Sequence, residues 1–261
     1  MLNELISVCC KKNAPVWEVA SHYIVKNIAA HNYNLIVPDD EVDLFIKITP
    51  KSINVISESV YVPGLKDTIL SYMPLDQQER AGWYLQQFIK ICAAKTSEGV
   101  SLIWDADTIP LKKLDFIGEN GNLIYYKSDE FHEAYFDLIE KITGLKKSVD
   151  FSFIAQCFVY QPEWIRDFCD EIETTFGKNW MQAIIQNINF DEFSGFSEYE
   201  TLGTYFHNKH SSKMTFINNG WYRFGNSLIG GIEKIDNNCL SLLSKKYDYV
   251  SFEDWDVGCC N

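Results

Sequence analysis

Short apolar runs alternate along the chain with stretches whose apolar residues recur every three or four positions. That alternation predicts strands and helices in turn. "LISVCC" (residues 5–10) reads as a strand, and "VWEVASHYIVKNIAAH" (16–31) follows with Val16, Val19, Ala20, Tyr23, Ile24 and Ile28 at helical intervals. "YNLIVPDDEV" (33–42) predicts a second strand broken by Pro38 and two acids, and "DLFIKI" (43–48) a third extended piece or the start of a turn. The clearest helix lies within 74–97, where Ala81, Leu85, Phe88, Ile89 and Cys92 share one face, Asp76 is a candidate cap and Gly99 closes the segment. "VSLIW" (100–104) is apolar almost throughout, the pattern of a strand covered on both faces in a parallel sheet.

Further on, "FSFIAQCFVY" (151–160) predicts a strand, and Pro162 suits the first turn of the helix that follows it. Residues 179–188 and 197–208 predict helices, and 213–225 an extended stretch ending the fold. Strand, helix and strand in this order predict an α/β fold, an open, mostly parallel sheet flanked by helices on both faces. No repeat, low-complexity tract or Pro/Gly/Ser-rich linker marks a boundary, so a single domain over 1–261 is expected.

Composition narrows the partners. Of 261 residues, 46% are hydrophobic and 15% aromatic, enough for a large core and too apolar for a disordered chain. Acids outnumber bases 36 to 23, a net charge of -13 that repels nucleic-acid phosphates and anionic headgroups. No nucleic-acid partner and at most peripheral membrane contact are expected. An anionic small ligand remains accessible through a bridging divalent cation. The eight cysteines form no CxxC and no Cys/His spacing suited to zinc. With no signal-like N-terminus and no apolar run of membrane-spanning length, the chain reads as cytoplasmic with reduced thiols. The terminal "GCCN" is a poor lipidation match and reads as two plain thiols.

The strongest chemical signal is "SLIWDADTIPL" (101–111), in which an apolar strand runs into Asp105 and Asp107. In an open parallel sheet, ligands bind at the carboxyl ends of the strands, where this pair falls. Alternate residues of an extended segment point the same way, so both carboxylates are expected to face one point. Two hard oxygen donors converging there suit Mg²⁺ or Mn²⁺ with substrate phosphates completing the shell. An acid pair that merely caps the loop after a strand is the plain alternative.

"LIWDADTIPL" resembles the DxD segment of GT-A-fold glycosyltransferases. "GWYLQQFIKI" (82–91) and "FSEYETLGTY" (196–205) are similar to the upstream helix and the acidic acceptor-side segment of a little-characterised group of bacterial surface-polysaccharide and lipopolysaccharide transferases. The three segments lie in the same order, over about residues 5–207. The resemblance implies a GT-A-like domain with a nucleotide-sugar half at about 1–110 and an acceptor half at about 111–261. It further implies metal-dependent transfer of a sugar from a nucleotide-diphosphate donor to a hydroxyl of a glycan or glycolipid acceptor.

It also implies roles residue by residue. Asp107 is the direct metal ligand, and Asp105 binds metal or the ribose and sugar hydroxyls. His207, with His210 as the other candidate, is the further ligand from the C-terminal part. Gln87 and Lys90 belong to the donor site, and Arg223 in "NNGWYRFGNS" is a diphosphate contact. The same aromatic-rich segment is a candidate sugar-stacking platform. Glu198 is the favoured base and Glu200 the second candidate, although at helical spacing the two point about 200° apart and one can simply be solvated. Tyr199 stands where inverting members carry an aspartate, which leaves inversion or retention open.

Two other readings use the same residues. "hhhhDxDxT" also describes a haloacid-dehalogenase-like phosphatase, with Asp105 as nucleophile, Asp107 as acid/base and Thr108 as the orienting hydroxyl. Against it, about 100 residues with βαβ units precede the motif and no downstream GDxxxD pattern is present. A non-catalytic nucleotide-sugar-binding protein is the other.

Overall fold

The computed structural model describes residues 1–218 and 220–256. The "GCCN" thiols therefore lie outside the described residues. In chain order the first half comprises β1 (Leu2–Val8), α1 (Ala14–Asn27), β2 (Ala30–Val37), α2 (Val42–Ile48), β3 (Asn54–Ser57), α3 (Leu65–Tyr72), α4 (Ala81–Thr96), β4 (Ser101–Trp104) and β5 (Thr108–Pro110). The second half comprises β6 (Leu123–Tyr126), α5 (Glu133–Thr143), β7 (Cys157–Tyr160), α6 (Pro162–Phe176), α7 (Trp180–Ile185), α8 (Glu198–His210), β8 (Met214–Ile217), β9 (Trp221–Tyr222), α9 (Gly225–Ile229), α10 (Asn237–Leu243) and β10 (Tyr249–Ser251).

The main sheet has the order β3-β2-β1-β4-β7. Its first four strands pair in parallel, and β7 closes the edge antiparallel to β4. This is the expected α/β architecture, a mostly parallel sheet flanked by helices. All four residues of β4 are buried. Because successive side chains leave opposite faces of a strand, both faces of the sheet are covered there. Inside the core, Ser7 donates its hydroxyl to the Trp104 carbonyl at 2.7 Å, tying the ends of β1 and β4 together. Two smaller sheets have the orders β5-β10-β9 and β6-β8.

Several expectations are corrected. Residues 42–48 form α2 rather than an extended piece. Its start follows Asp39, Asp40 and Glu41, acids favoured at a positive helix N-terminus, while Phe45 is fully buried and Ile46 faces out. The third strand is instead Asn54–Ser57. Asp76 lies in a 3₁₀ turn (Leu75–Arg80) before α4 and does not cap it. The strand expected over 151–160 is confined to 157–160, because Gln156 adopts φ +60 and breaks extended pairing. Residues 213–225 supply β8 and β9 but do not end the fold, since β10 returns to pair with both β5 and β9.

Candidate active site

β4 delivers Asp105 at its carboxyl end, but the chain then turns instead of staying extended. The Thr108 amide donates to the Asp105 carbonyl at 3.1 Å, closing a β-turn in which Ala106 is buried. The turn is held on both flanks. The Asp105 amide donates to the Gln156 carbonyl at 2.9 Å, and the Phe252 amide to the Asp107 carbonyl at 2.8 Å. Within this one turn the two carboxylates have different polar partners.

Asp105 faces α4 and α8. Lys90 of α4 donates from Nζ to Asp105 Oδ1 and to Glu198 Oε1, both at 2.7 Å. The Tyr199 hydroxyl donates to the same Asp105 Oδ1 at 2.5 Å. Lys90, Glu198 and Tyr199 are all buried. Burial works against the Lys90 charge, but Asp105 and Glu198 outweigh it and hold the ammonium above the ordinary lysine range. Burial raises the Glu198 carboxyl, with Lys90 opposing and Asp105 adding to the rise. Gln87 completes the junction by accepting from the Glu198 amide at 3.0 Å, which satisfies one free N–H at the start of α8. Gln87 and Lys90 are therefore interior residues joining two helices, not the polar face of an amphipathic helix.

Asp107 faces the C-terminal end of β10. Burial pushes its carboxyl well above the ordinary range, and the neighbouring charges of Glu253 and then Asp105 add to this. Glu253 Oε1 accepts from Arg223 Nε at 2.9 Å and from Gln156 Nε2 at 3.0 Å. Arg223 also pairs with Glu130, which in turn meets His132 Nε2 at 3.0 Å. Arg223 thus reaches the acid pair's neighbourhood already bound to two carboxylates. The left-handed Gln156, a conformation costing a non-glycine residue roughly 1–2 kcal/mol, links both halves of the site. Its carbonyl fixes Asp105 and its side chain fixes Glu253.

The remaining candidates lie elsewhere. Glu200 points away from Glu198, as helical spacing requires, but neither acid is solvated. Glu200 is buried and accepts from Ser152 Oγ and from the Phe153 amide at 3.0 Å, clamping the 147–153 segment onto α8. Gly203 permits this approach, since a Cβ there would overlap the Phe153 ring. His207 lies nine residues beyond Glu198, roughly 13 Å along the helix axis, and bonds through Nδ1 with Ser148 Oγ at 2.7 Å. His210 stacks on Trp164. The structure does not bring either histidine to Asp105 and Asp107. Among the described residues, no group of three or more His, Cys, Asp or Glu side chains is placed to hold a metal ion. Glu253, Glu130 and Gln156 went unread in the sequence; "SFEDWD" (251–256) carried only an acidic run as a signal.

A family model described as "Family of unknown function (DUF6492)" matches residues 16–220. No curated protein matches the sequence. Among solved structures, the chain is similar to mouse xyloside xylosyltransferase 1 in its apo form, at 11% identity and a TM-score of 0.49, covering 100% of this chain and 99% of that one. It is also similar to the galactosyltransferase LgtC in complex with donor and acceptor sugar analogues, at 8% identity and a TM-score of 0.45, covering 95% and 86%.

Proposed function

The chain belongs to the family of unknown function DUF6492, and we propose that it is a metal-dependent glycosyltransferase of the GT-A type. In this reading it moves a sugar from a nucleotide-diphosphate donor to a hydroxyl of a glycan or glycolipid, in bacterial surface polysaccharide or lipopolysaccharide synthesis at the cytoplasmic side of a membrane. The observation that carries the reading is the placement of Asp105 and Asp107 in a tight turn at the carboxyl end of the buried, interior strand β4.

The donor set fits Mn²⁺ or Mg²⁺. Both hydrogen bonds to Asp105 fall on Oδ1, which leaves Oδ2 as a hard oxygen donor beside Asp107. Asp107 sits among like charges from Glu253 and Asp105, the electrostatic stress a cation relieves. When bound, the ion would neutralise charge on the leaving diphosphate. Among the chain's own residues, Lys90 and Tyr199 fix the orientation of Asp105. Glu198, buried and ion-paired, acts through Lys90 as a positioning residue; its burial and pairing argue against the base role suggested by the sequence. Gln156 and Arg223 hold Glu253 beside Asp107.

The test is a thermal-shift panel of UDP, GDP, CMP and dTDP sugars with and without Mn²⁺, since a ligand that binds only the folded state raises its melting temperature. A metal-dependent shift with one nucleotide, lost in Asp107→Asn, is expected together with donor turnover. No shift with any nucleotide, alongside hydrolysis of a generic phosphate ester, would transfer the assignment to a phosphatase using Asp105 as nucleophile. Nucleotide binding without transfer or donor hydrolysis would indicate a binding protein.

A further inference from the structure

The first turns of α5 and the segment 187–194 enclose a cleft of about 390 Å³, within the roughly 300–1,000 Å³ typical of small-molecule sites. Glu133, Asp137 and Glu192 line it, and none of them makes an ion pair among the described residues. Phe193, also in the lining, is 77% exposed. Its ring is nonetheless held: the Arg80 guanidinium lies 3.7 Å from the ring centroid and itself rests 4.5 Å from the Trp83 ring. The ring is thus held by a cation while remaining largely exposed at the cleft.

The cleft joins the acid pair through a chain of side chains. His132 lines it and bonds to Glu130, Glu130 pairs with Arg223, Arg223 pairs with Glu253, and Glu253 acts on Asp107. Carboxylates of this kind accept strong hydrogen bonds from hydroxyl groups, and a flat apolar face packs against the C–H face of a pyranose ring. Three acids against Lys141 disfavour an anionic ligand. We propose that this cleft binds the acceptor, and that the acceptor presents an uncharged pyranose there. The proposal rests on the glycosyltransferase reading and adds to it the place and the charge class of the acceptor.

Saturation-transfer NMR with methyl glucoside, methyl galactoside, methyl N-acetylglucosaminide and the anionic methyl glucuronide tests it on the full chain. At least one neutral glycoside is expected to bind, with the glucuronide weaker. Phe193→Ala should weaken the neutral glycoside roughly threefold to tenfold, while the nucleotide and Mn²⁺ melting shift stays unchanged. Asp137→Asn, at an exposed helical position, serves as the second variant and should also weaken it. Glycoside binding unaffected by both substitutions, tightest binding of the glucuronide, or absence of glycoside binding in a protein that still shows the nucleotide shift would overturn the cleft and leave the transferase reading standing. Loss of glycoside binding in Phe193→Ala from a protein showing no nucleotide shift would support the cleft as a sugar site and sink the transferase reading instead.

Discussion

The hydroxyl of Tyr199 donates to Oδ1 of Asp105 at 2.5 Å, across 94 positions of sequence. Lys90 reaches the same oxygen, and its Nζ lies 4.6 Å from the Tyr199 ring centroid, so one tyrosine serves the acid through its hydroxyl and the ammonium through its ring. Burial raises the Tyr199 phenol well above its ordinary range, with Asp105 and Glu198 adding to the rise, which favours the protonated, donating form. Tyr199, at a position where the sequence resemblance led to the expectation of an acid, is here a donor to one.

Tyr199→Phe therefore removes a donor from Asp105 without removing the ring, whose stacking on Phe158 at 5.9 Å persists. A hydrogen bond to a charged group contributes roughly 1.5–3 kcal/mol, which on the proposed transferase reading predicts sugar transfer slowed by about tenfold or more with little change in donor KM. Steady-state kinetics beside a melting curve checks this. Undiminished kcat in a folded variant would remove Tyr199 from the positioning role.

Lys90→Met leaves Glu198 and Asp105 facing each other without their shared cation. Breaking a buried ion pair from one side costs roughly 3–5 kcal/mol, and urea unfolding should show a loss of that order. Adding Glu198→Gln removes one of the two stranded charges and should restore part of the loss. If the double variant is no more stable than Lys90→Met alone, the two acids do not compete for that ammonium.

The elements that carry the site were legible where their contacts are local. "SLIW" reads as a covered strand because all four residues are buried, and α4 reads as a helix because its apolar residues recur on one turn-to-turn face. What hides from periodicity is partnership. Lys90 meets Glu198 108 positions later and Gln87 meets it 111 positions later, so both look like surface polar residues until α8 is laid across α4. His207 was mislocated for the opposite reason: it shares a helix with Glu198, yet the helical rise carries it out of reach. Glu253 follows a three-residue strand, too short to show an alternating pattern, and Gln156 acts through a left-handed backbone that its residue type does not announce.

Gly203 offers a test of how α8 is seated. A methyl group there overlaps the Phe153 ring, at the point where Glu200 holds the Phe153 amide. Overpacking of this kind costs roughly 1–3 kcal/mol, so Gly203→Ala should lower the melting temperature by at least about 2 °C. A variant as stable as the parent would mean that the 151–156 segment yields without strain, and with it the fixing of Asp105 by Gln156.

The raised Asp107 carboxyl sets a pH dependence with a definite sign. A folded-state pKa above the unfolded value means that the folded protein binds more protons. The unfavourable contribution of Asp107 therefore grows as pH rises from the ordinary carboxylate value near 4 toward the raised one, and stays at its full size above it. Glu198 and Glu200 are raised by burial in the same sense, whereas His207 and His210, lowered by burial, act oppositely below about pH 6.5. Comparing the parent with Asp107→Asn isolates one group from the others. The variant should melt higher than the parent at pH 8, by on the order of 2–4 °C per kcal/mol relieved, and the gap should close toward pH 5. Mn²⁺ should raise the parent's melting temperature at pH 8 and leave the variant's nearly unchanged, because the cation relieves the same repulsion that the substitution removes. A gap that does not vary with pH would show that Asp107 is not held under like-charge stress in the folded protein, and the electrostatic argument for a cation at this turn would fail with it.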